Sequence, residues 1–299
     1  MATEEREAKR ERGAVGGSVT GGPWEELSPE LLAEICSRLA ADETSRVVPF
    51  VCRAWRDVVM GRYCWASIDV EQWCRRVDRT DLIDAAVRKL VRRGRGSLQR
   101  LSAFKLGNSA FSVAALCRCL KVLKIPMSEV TDEAVERRAP LLTALTELDI
   151  SYCLRITHRG IEALGRHCRS LVHLRRNVPP PEMEYGGPSK VDDGEALAVA
   201  NTMPGLRHLE LAYGRLGDDG LNAIVTNCRS LCVLDVRGCW AVKMDGDLQS
   251  RCDEIPGFRD PWVDDYDYIR SSSEEGDRSG DGGSGAIVDL DSSDSSDWD

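Results

Sequence analysis

The chain has 299 residues, 42 % of them hydrophobic and 30 % charged, with a net charge of −9 at pH 7. That length admits one large domain or two smaller ones, with an ordinary apolar fraction for a globular core. Residues 241–299 hold five basic against seventeen acidic side chains, so the body is nearly neutral, which argues against a nucleic-acid binder. No apolar run approaches the roughly 18 residues of a membrane span. Met1-Ala2-Thr3-Glu4-Glu5-Arg6-Glu7 lacks the basic-then-apolar order of a secretory signal. A soluble protein of the nucleus, the cytoplasm or both is expected. The twelve cysteines include no C-x-x-C pair and there are only four histidines, so neither a metal nor another cofactor is expected.

Residues 1–22, charged and then glycine-rich, are expected to be disordered. Order begins with Ser28-Pro29-Glu30, a capping oxygen, a first-turn proline and an acid at the positive helix end. Leu31, Leu32, Ile35 and Leu39 then mark a helical face. Asp42 or Thr44 starts a second helix that Pro49 ends or kinks, and Val51, Cys52, Trp55, Val58 and Val59 form a third stripe. Three short helices make a core too small to be comfortable alone.

Residues 24–65 resemble an F-box. The resemblance rests on Leu27, Pro29-Glu30-Leu31-Leu32, Ile35, Leu39, Val51-Cys52, Trp55 and Trp65. Two departures are Ser28, where the family usually carries proline, and Glu43, where it usually carries leucine. The resemblance implies a Skp-family adaptor as partner, met by Leu27, Pro29, Leu31, Leu32 and Ile35. Leu39, Val51, Cys52 and Trp55 are expected in the F-box core, with Trp65 sealing it against the strand in "SIDVE".

Residues 66–97 read as a linker and cap, with a helix turning Leu82, Ala85, Ala86 and Leu90 inward. Its basic end, Arg88 to Arg95, suits a helix C-terminus better than a nuclear-import or nucleic-acid patch. From residue 98 the pattern L-x-x-L occurs six times, as Leu98/Leu101, Leu120/Leu123, Leu145/Leu148, Leu171/Leu174, Leu206/Leu209 and Leu231/Leu234. Leu148 and Ile150 share one side of a short strand, whereas Ile161, Leu164 and Cys168 recur at helical spacing. Each unit is therefore strand, turn, helix, and must stack on its neighbours to bury its apolar edge. The units, spanning 98–250, resemble cysteine-containing leucine-rich repeats, giving an α/β solenoid with short parallel strands inside and helices outside. Cysteines at matching places suit small apolar fillers better than reactive groups. Strand alternation puts the fifth place of each unit on the concave face: Ser102, Lys124, Asp149, Arg175, Glu210 and Asp235. The last five are candidate substrate-binding residues, and a self-neutralising ladder of ion pairs is an equally open and compatible reading.

The fourth unit carries an insertion, residues 177–195, with four prolines and three glycines. It must leave the stack as a loop, and Met183 and Tyr185 are its apolar anchors. The acidic Ser/Asp-rich tail, residues 251–299, is expected to be largely disordered. Within it Ile287, Val288 and Leu290 precede a block of Asp and Ser and resemble a SUMO-interacting motif, which implies strand addition to that modifier.

An F-box followed by leucine-rich repeats is similar to the short plant substrate receptors of Skp–cullin–F-box (SCF) ubiquitin ligases. The resemblance implies a non-catalytic subunit that bridges a protein substrate to a cullin–RING ligase for ubiquitination and proteasomal degradation. A cullin-independent repeat scaffold or inhibitor is the alternative. No nucleophile with a positioned base is visible, so an enzyme is not expected.

Overall fold

The structure, a computed structural model, describes residues 27–61, 63–180 and 191–262. The expectations for residues 1–22, for Met183 and Tyr185, and for Ile287, Val288 and Leu290 fall outside them.

Helix α1 (Pro29–Cys36) starts as its sequence dictates, with the Ser28 hydroxyl accepting the Leu31 N–H at 3.3 Å. Helix α2 (Ala41–Arg46) leads into a 3₁₀ turn, Val48–Phe50, that holds Pro49. Helix α3 (Arg53–Met60) comes next. These elements pack around Leu32, Ala33, Cys36, Val48 and Val59. Trp55 and Cys52 are half-buried, the Trp55 ring lying against this core.

Two features differ from the sequence-based expectation. Leu32 is a core residue and not an outward-facing one, whereas Leu39 and Val51 are exposed and not core. The cause is helical phase. Residues 31, 35 and 39 form one row and 32, 33 and 36 another, and the second row turns inward. The helix also stops at Cys36, so Leu39 lies beyond it, and Val51 precedes the start of α3.

Trp65, 1 % exposed, joins the helical module to the repeats. Its indole N–H donates to the Val59 carbonyl at 2.8 Å, and the Arg93 guanidinium lies 5.6 Å from its ring centre. A Cβ added at Gly94 would stand 2.6 Å from the Trp65 carbonyl oxygen, so the chain can pass there only as glycine.

The solenoid is one parallel sheet of eight three-residue strands in sequential order. They are β1 (Ser67–Asp69), β2 (Arg100–Ser102), β3 (Val122–Lys124), β4 (Glu147–Asp149), β5 (His173–Arg175), β6 (His208–Glu210), β7 (Val233–Asp235) and β8 (Gly257–Arg259). Leu101, Leu123, Leu148, Leu174, Leu209 and Leu234 pair in unbroken register, with Ile68 and Phe258 at the two ends. The six repeats are therefore extended by a strand on each side. The segment 66–97 contains the first strand of the sheet as well as its cap helices α4 (Glu71–Val77) and α5 (Thr80–Arg93). Helix α5 buries Ile83, Val87, Leu90 and Val91, while Leu82 and Ala85 are exposed, one residue out of phase with the expectation. The repeats also run past residue 250, since α11 (Leu248–Asp253) and β8 complete a further unit in a stretch that composition alone assigns to the tail.

The other helices are α6 (Asn108–Ala114), α7 (Asp132–Arg138), α8 (His158–His167), α9 (Gly194–Thr202) and α10 (Asp218–Asn227). Aspartates tie their N-terminal ends across repeats. Asp132 accepts the Thr157 N–H at 2.9 Å, the Thr157 hydroxyl at 2.7 Å and the Gly160 N–H at 3.0 Å. Asp84 does the same for Gly107 and Ala110 and Asp193 for Gly217 and Gly220, while Asp218 accepts the N–H groups of Lys243, Met244 and Asp245 in the turn before α11. The orphan helix-end donors are thereby satisfied from the neighbouring unit. The repeated glycine of the sequence pattern has its reason here, because a Cβ at Gly160 would lie 2.6 Å from Asp132 Oδ1.

The buried repeat cysteines are packing groups, whereas Cys119 and Cys232 are exposed. Cys153 and Cys239 stand at matching places, their thiols donating to Ile125 and Leu211 carbonyls at 3.2 and 3.3 Å. Burial pushes both up to about 12, so neither is a thiolate at neutral pH.

Candidate functional site

Two surfaces are candidates for contact. On the helical module the core absorbs one row of each short helix and leaves another in solvent. Phe50 is 85 % exposed, Val47 60 %, Met60 59 %, Leu31 56 % and Val51 54 %, with Leu39 exposed as well. Of the residues expected to face the adaptor, Pro29 is exposed like Leu31, Leu27 and Ile35 are half-exposed, and Leu32 is inside. Phe50, the most exposed large apolar residue of the described chain, is absent from the sequence-based expectation. The signal available was Val47, Phe50 and Val51 flanking a proline, a triple that cannot all turn inward from one tight turn. Exposed apolar side chains in this number make the outer face of the module a candidate interaction surface.

The second surface is the inner face of the sheet. Its fifth-place row runs Asp69, Ser102, Lys124, Asp149, Arg175, Glu210, Asp235 and Arg259 across adjacent strands. The charges pair with one another. Lys124 Nζ lies 2.9 Å from Glu147, and Arg175 Nε lies 3.0 Å from Glu210 and its Nη1 3.9 Å from Glu147. Glu210 also meets His208 Nε2 at 2.6 Å and the Asn177 amide at 3.2 Å. His173 and His208 stack with ring centres 5.4 Å apart. Asp235, expected on the open face, is only 2 % exposed, held by Arg237 at 2.8 Å and Arg259 at 3.2 Å. The eighth strand, which brings Arg259, is what closes over it.

These contacts set the titration of the floor. Burial pushes the Glu210 carboxyl up, but His208, Arg175 and Asn177 outweigh it and hold it below the usual carboxylate range. Glu147 is lowered in the same way against its burial by Lys124 and Arg175. Asp149 goes the other way, because burial outweighs its bonds from Ser151 and the nearby Arg175.

The insertion leaves from this face. Arg176, at a position that other repeats fill with an aliphatic residue, is 3 % exposed and donates to the Ile156 carbonyl and to Glu195, each at 2.8 Å. The pair latches the two ends of the insertion at the start of α9. In the sequence Arg176 reads as a degenerate repeat position, where the signal was a buried cation awaiting an acid beyond the loop.

Among the described residues no group of three or more His, Cys, Asp or Glu could hold a metal ion, and no helix is long and apolar enough to cross a membrane.

A parallel-stranded solenoid behind a small helical module defines a leucine-rich-repeat protein with a separate N-terminal helical unit. A family model described as "Leucine Rich repeat" matches residues 204–225. The chain is 43 % identical over 224 residues to "F-box protein FBW2" of Arabidopsis thaliana, covering 74 % of this chain and 70 % of that protein. It is 34 % identical over 260 residues to "F-box protein SKIP19" of the same plant, covering 85 % of this chain and 82 % of that one. It is 31 % identical over 256 residues to "Putative F-box/LRR-repeat protein 22", also of Arabidopsis thaliana, covering 82 % and 80 %. The chain belongs to the plant F-box/LRR-repeat family.

Proposed function

We propose that this chain is the substrate-recognition subunit of an SCF ubiquitin ligase, acting in the nucleus, the cytoplasm or both. The helical module docks on a Skp-family adaptor, and through it on a cullin–RING ligase. The repeats hold a target protein for ubiquitination and proteasomal degradation, and the chain contributes no catalytic group. The observation that carries the reading is the exposed cluster of Leu31, Val47, Phe50, Val51 and Met60 on a module otherwise closed around its own core. Such side chains fit a groove on a partner, as an amphipathic helix does. The non-catalytic part is supported by Cys153, Cys168, Cys228 and Cys239, whose thiols burial pushes up to about 11 to 12.

The test is co-expression with a Skp-family adaptor and a cullin, with purification through the adaptor. A stoichiometric complex is expected for the wild-type chain and none for Phe50→Ala/Val51→Ala. A folded wild-type chain that never joins the adaptor would make it a cullin-independent scaffold or inhibitor. Binding of SUMO through Ile287, Val288 and Leu290 is a separable proposal, tested by titrating a tail peptide against the modifier with Val288→Ala as control.

A further inference from the structure

Three residues beyond each of β2 to β7 stands a second row, in register with the strands. Lys105, Met127, Tyr152, Val178, Tyr213 and Gly238 each donate a backbone N–H to the next repeat, at 2.7 to 3.2 Å. At five of the six, φ lies between 53° and 70°, the left-handed region that favours glycine. Glycine occupies only Gly238, while Lys105, Met127, Tyr152 and Tyr213 hold long or bulky side chains in a conformation that disfavours them. The recurring turn is set by repeat stacking, and what varies from unit to unit is the side chain it presents at the rim. Met127 is 41 % exposed and Tyr152 partly so. The Tyr213 ring lies over Gly238, where no Cβ would fit, and meets the 47 % exposed Trp240 edge-on at 6.2 Å. An apolar and aromatic stripe therefore runs along the rim beside the polar floor.

The floor tells what kind of segment would lie there. Between β3 and β8 its cations Lys124, Arg175, Arg237 and Arg259 are already paired with Glu147, Glu210 and Asp235. A phosphorylated or acidic segment would compete with those carboxylates for the cations, whereas an uncharged one need not. We infer that the rim formed by Met127, Tyr152, Val178, Tyr213 and Trp240 binds an extended, unphosphorylated protein segment carrying aliphatic or aromatic side chains. Repeats are about 4.8 Å apart, and a segment in the extended polyproline II form advances about 3.1 Å per residue with three residues per turn, so every third side chain faces the rim. Tyr152 and Tyr213, two repeats apart, thus match apolar anchors about three residues apart in the segment. The inference rests on the reading that the repeats hold the substrate, and it names the recognition element.

The experiment pans the full chain, bound to the Skp-family adaptor, against a display library of unphosphorylated random 12-residue peptides, with an array of phosphopeptides in parallel. Enrichment of peptides with aliphatic or aromatic residues about three apart is expected. Met127→Gly and Tyr152→Gly relax the left-handed backbone and should keep the wild-type melting temperature within a few degrees. Each should weaken the selected peptides at least tenfold, and Trp240→Ala likewise. Enrichment of acidic or phosphorylated peptides only, no enrichment, or binding indifferent to these substitutions would each overturn the inference. Loss of adaptor binding alone strikes the ligase reading, and the same panning on the free chain then decides the rim.

Discussion

The helical module and the solenoid bury apolar residues by opposite logics. The solenoid repeats one short strand eight times, so each inner leucine of the central column finds the same leucine on either side, with Ile68 and Phe258 closing its ends. Its core is over-determined, and one degenerate unit is absorbed. The module has three short helices and no repetition, and its core accounts for only part of its apolar residues. The surplus stays in solvent. One region is closed upon itself and the other is incomplete, and the incomplete one is where a partner is expected.

Substitutions of the same chemistry separate the two. Leu148→Ala empties a site walled by Leu123 and Leu174 and should cost about 3–5 kcal/mol, read by urea unfolding. Leu32→Ala, inside the module, should cost about 3 kcal/mol, whereas its neighbour Leu31→Ala should cost under about 0.5 kcal/mol and weaken adaptor binding. Equal stability losses at 31 and 32 would erase the distinction between inward and outward rows.

The joints between repeats come next in size. Asp132→Ala strands the donors of Thr157 and Gly160 and should cost about 2–3 kcal/mol. At the latch, Glu195→Ala leaves Arg176 buried with its acid removed and should cost about 2 kcal/mol. Arg176→Leu with Glu195→Ala, which restores the aliphatic place, should recover most of that loss.

The floor carries the smallest effect and a pH signature. Glu210 sits below its ordinary pKa, so its contribution is present above the unfolded value and lost as pH falls through the folded one. Glu210→Gln should therefore lower stability by about 1 kcal/mol at pH 7, with the difference shrinking as pH falls below the ordinary glutamate range. Asp149 sits above its ordinary pKa, so its charged form opposes folding at neutral pH, and Asp149→Asn should raise stability there. A lower stability for Asp149→Asn at pH 7 would contradict the burial argument.

Legibility in the sequence divides along the same line. Six leucine pairs predict six strands in register, and the helix start at Ser28 is readable from its capping oxygen and proline. Helical phase is harder. Leu31, Leu32, Ile35 and Leu39 fit one broad apolar face, but the packing of α1 against α3 turns Leu32 in, and the end of α1 at Cys36 leaves Leu39 out. The eighth strand is hidden because Gly257-Phe258-Arg259 lacks the leucine signature and lies next to an acidic tail. The Asp132, Asp193 and Arg176 contacts join residues 19 to 28 positions apart, beyond what local periodicity carries.

The most direct test is a calorimetric titration of the purified, folded chain with a Skp-family adaptor. The account predicts saturable one-to-one binding tighter than about 1 µM, weakened at least tenfold by Phe50→Ala without loss of fold. No heat of binding from a folded wild-type chain, or a Phe50→Ala variant that binds as the wild type does, would contradict it.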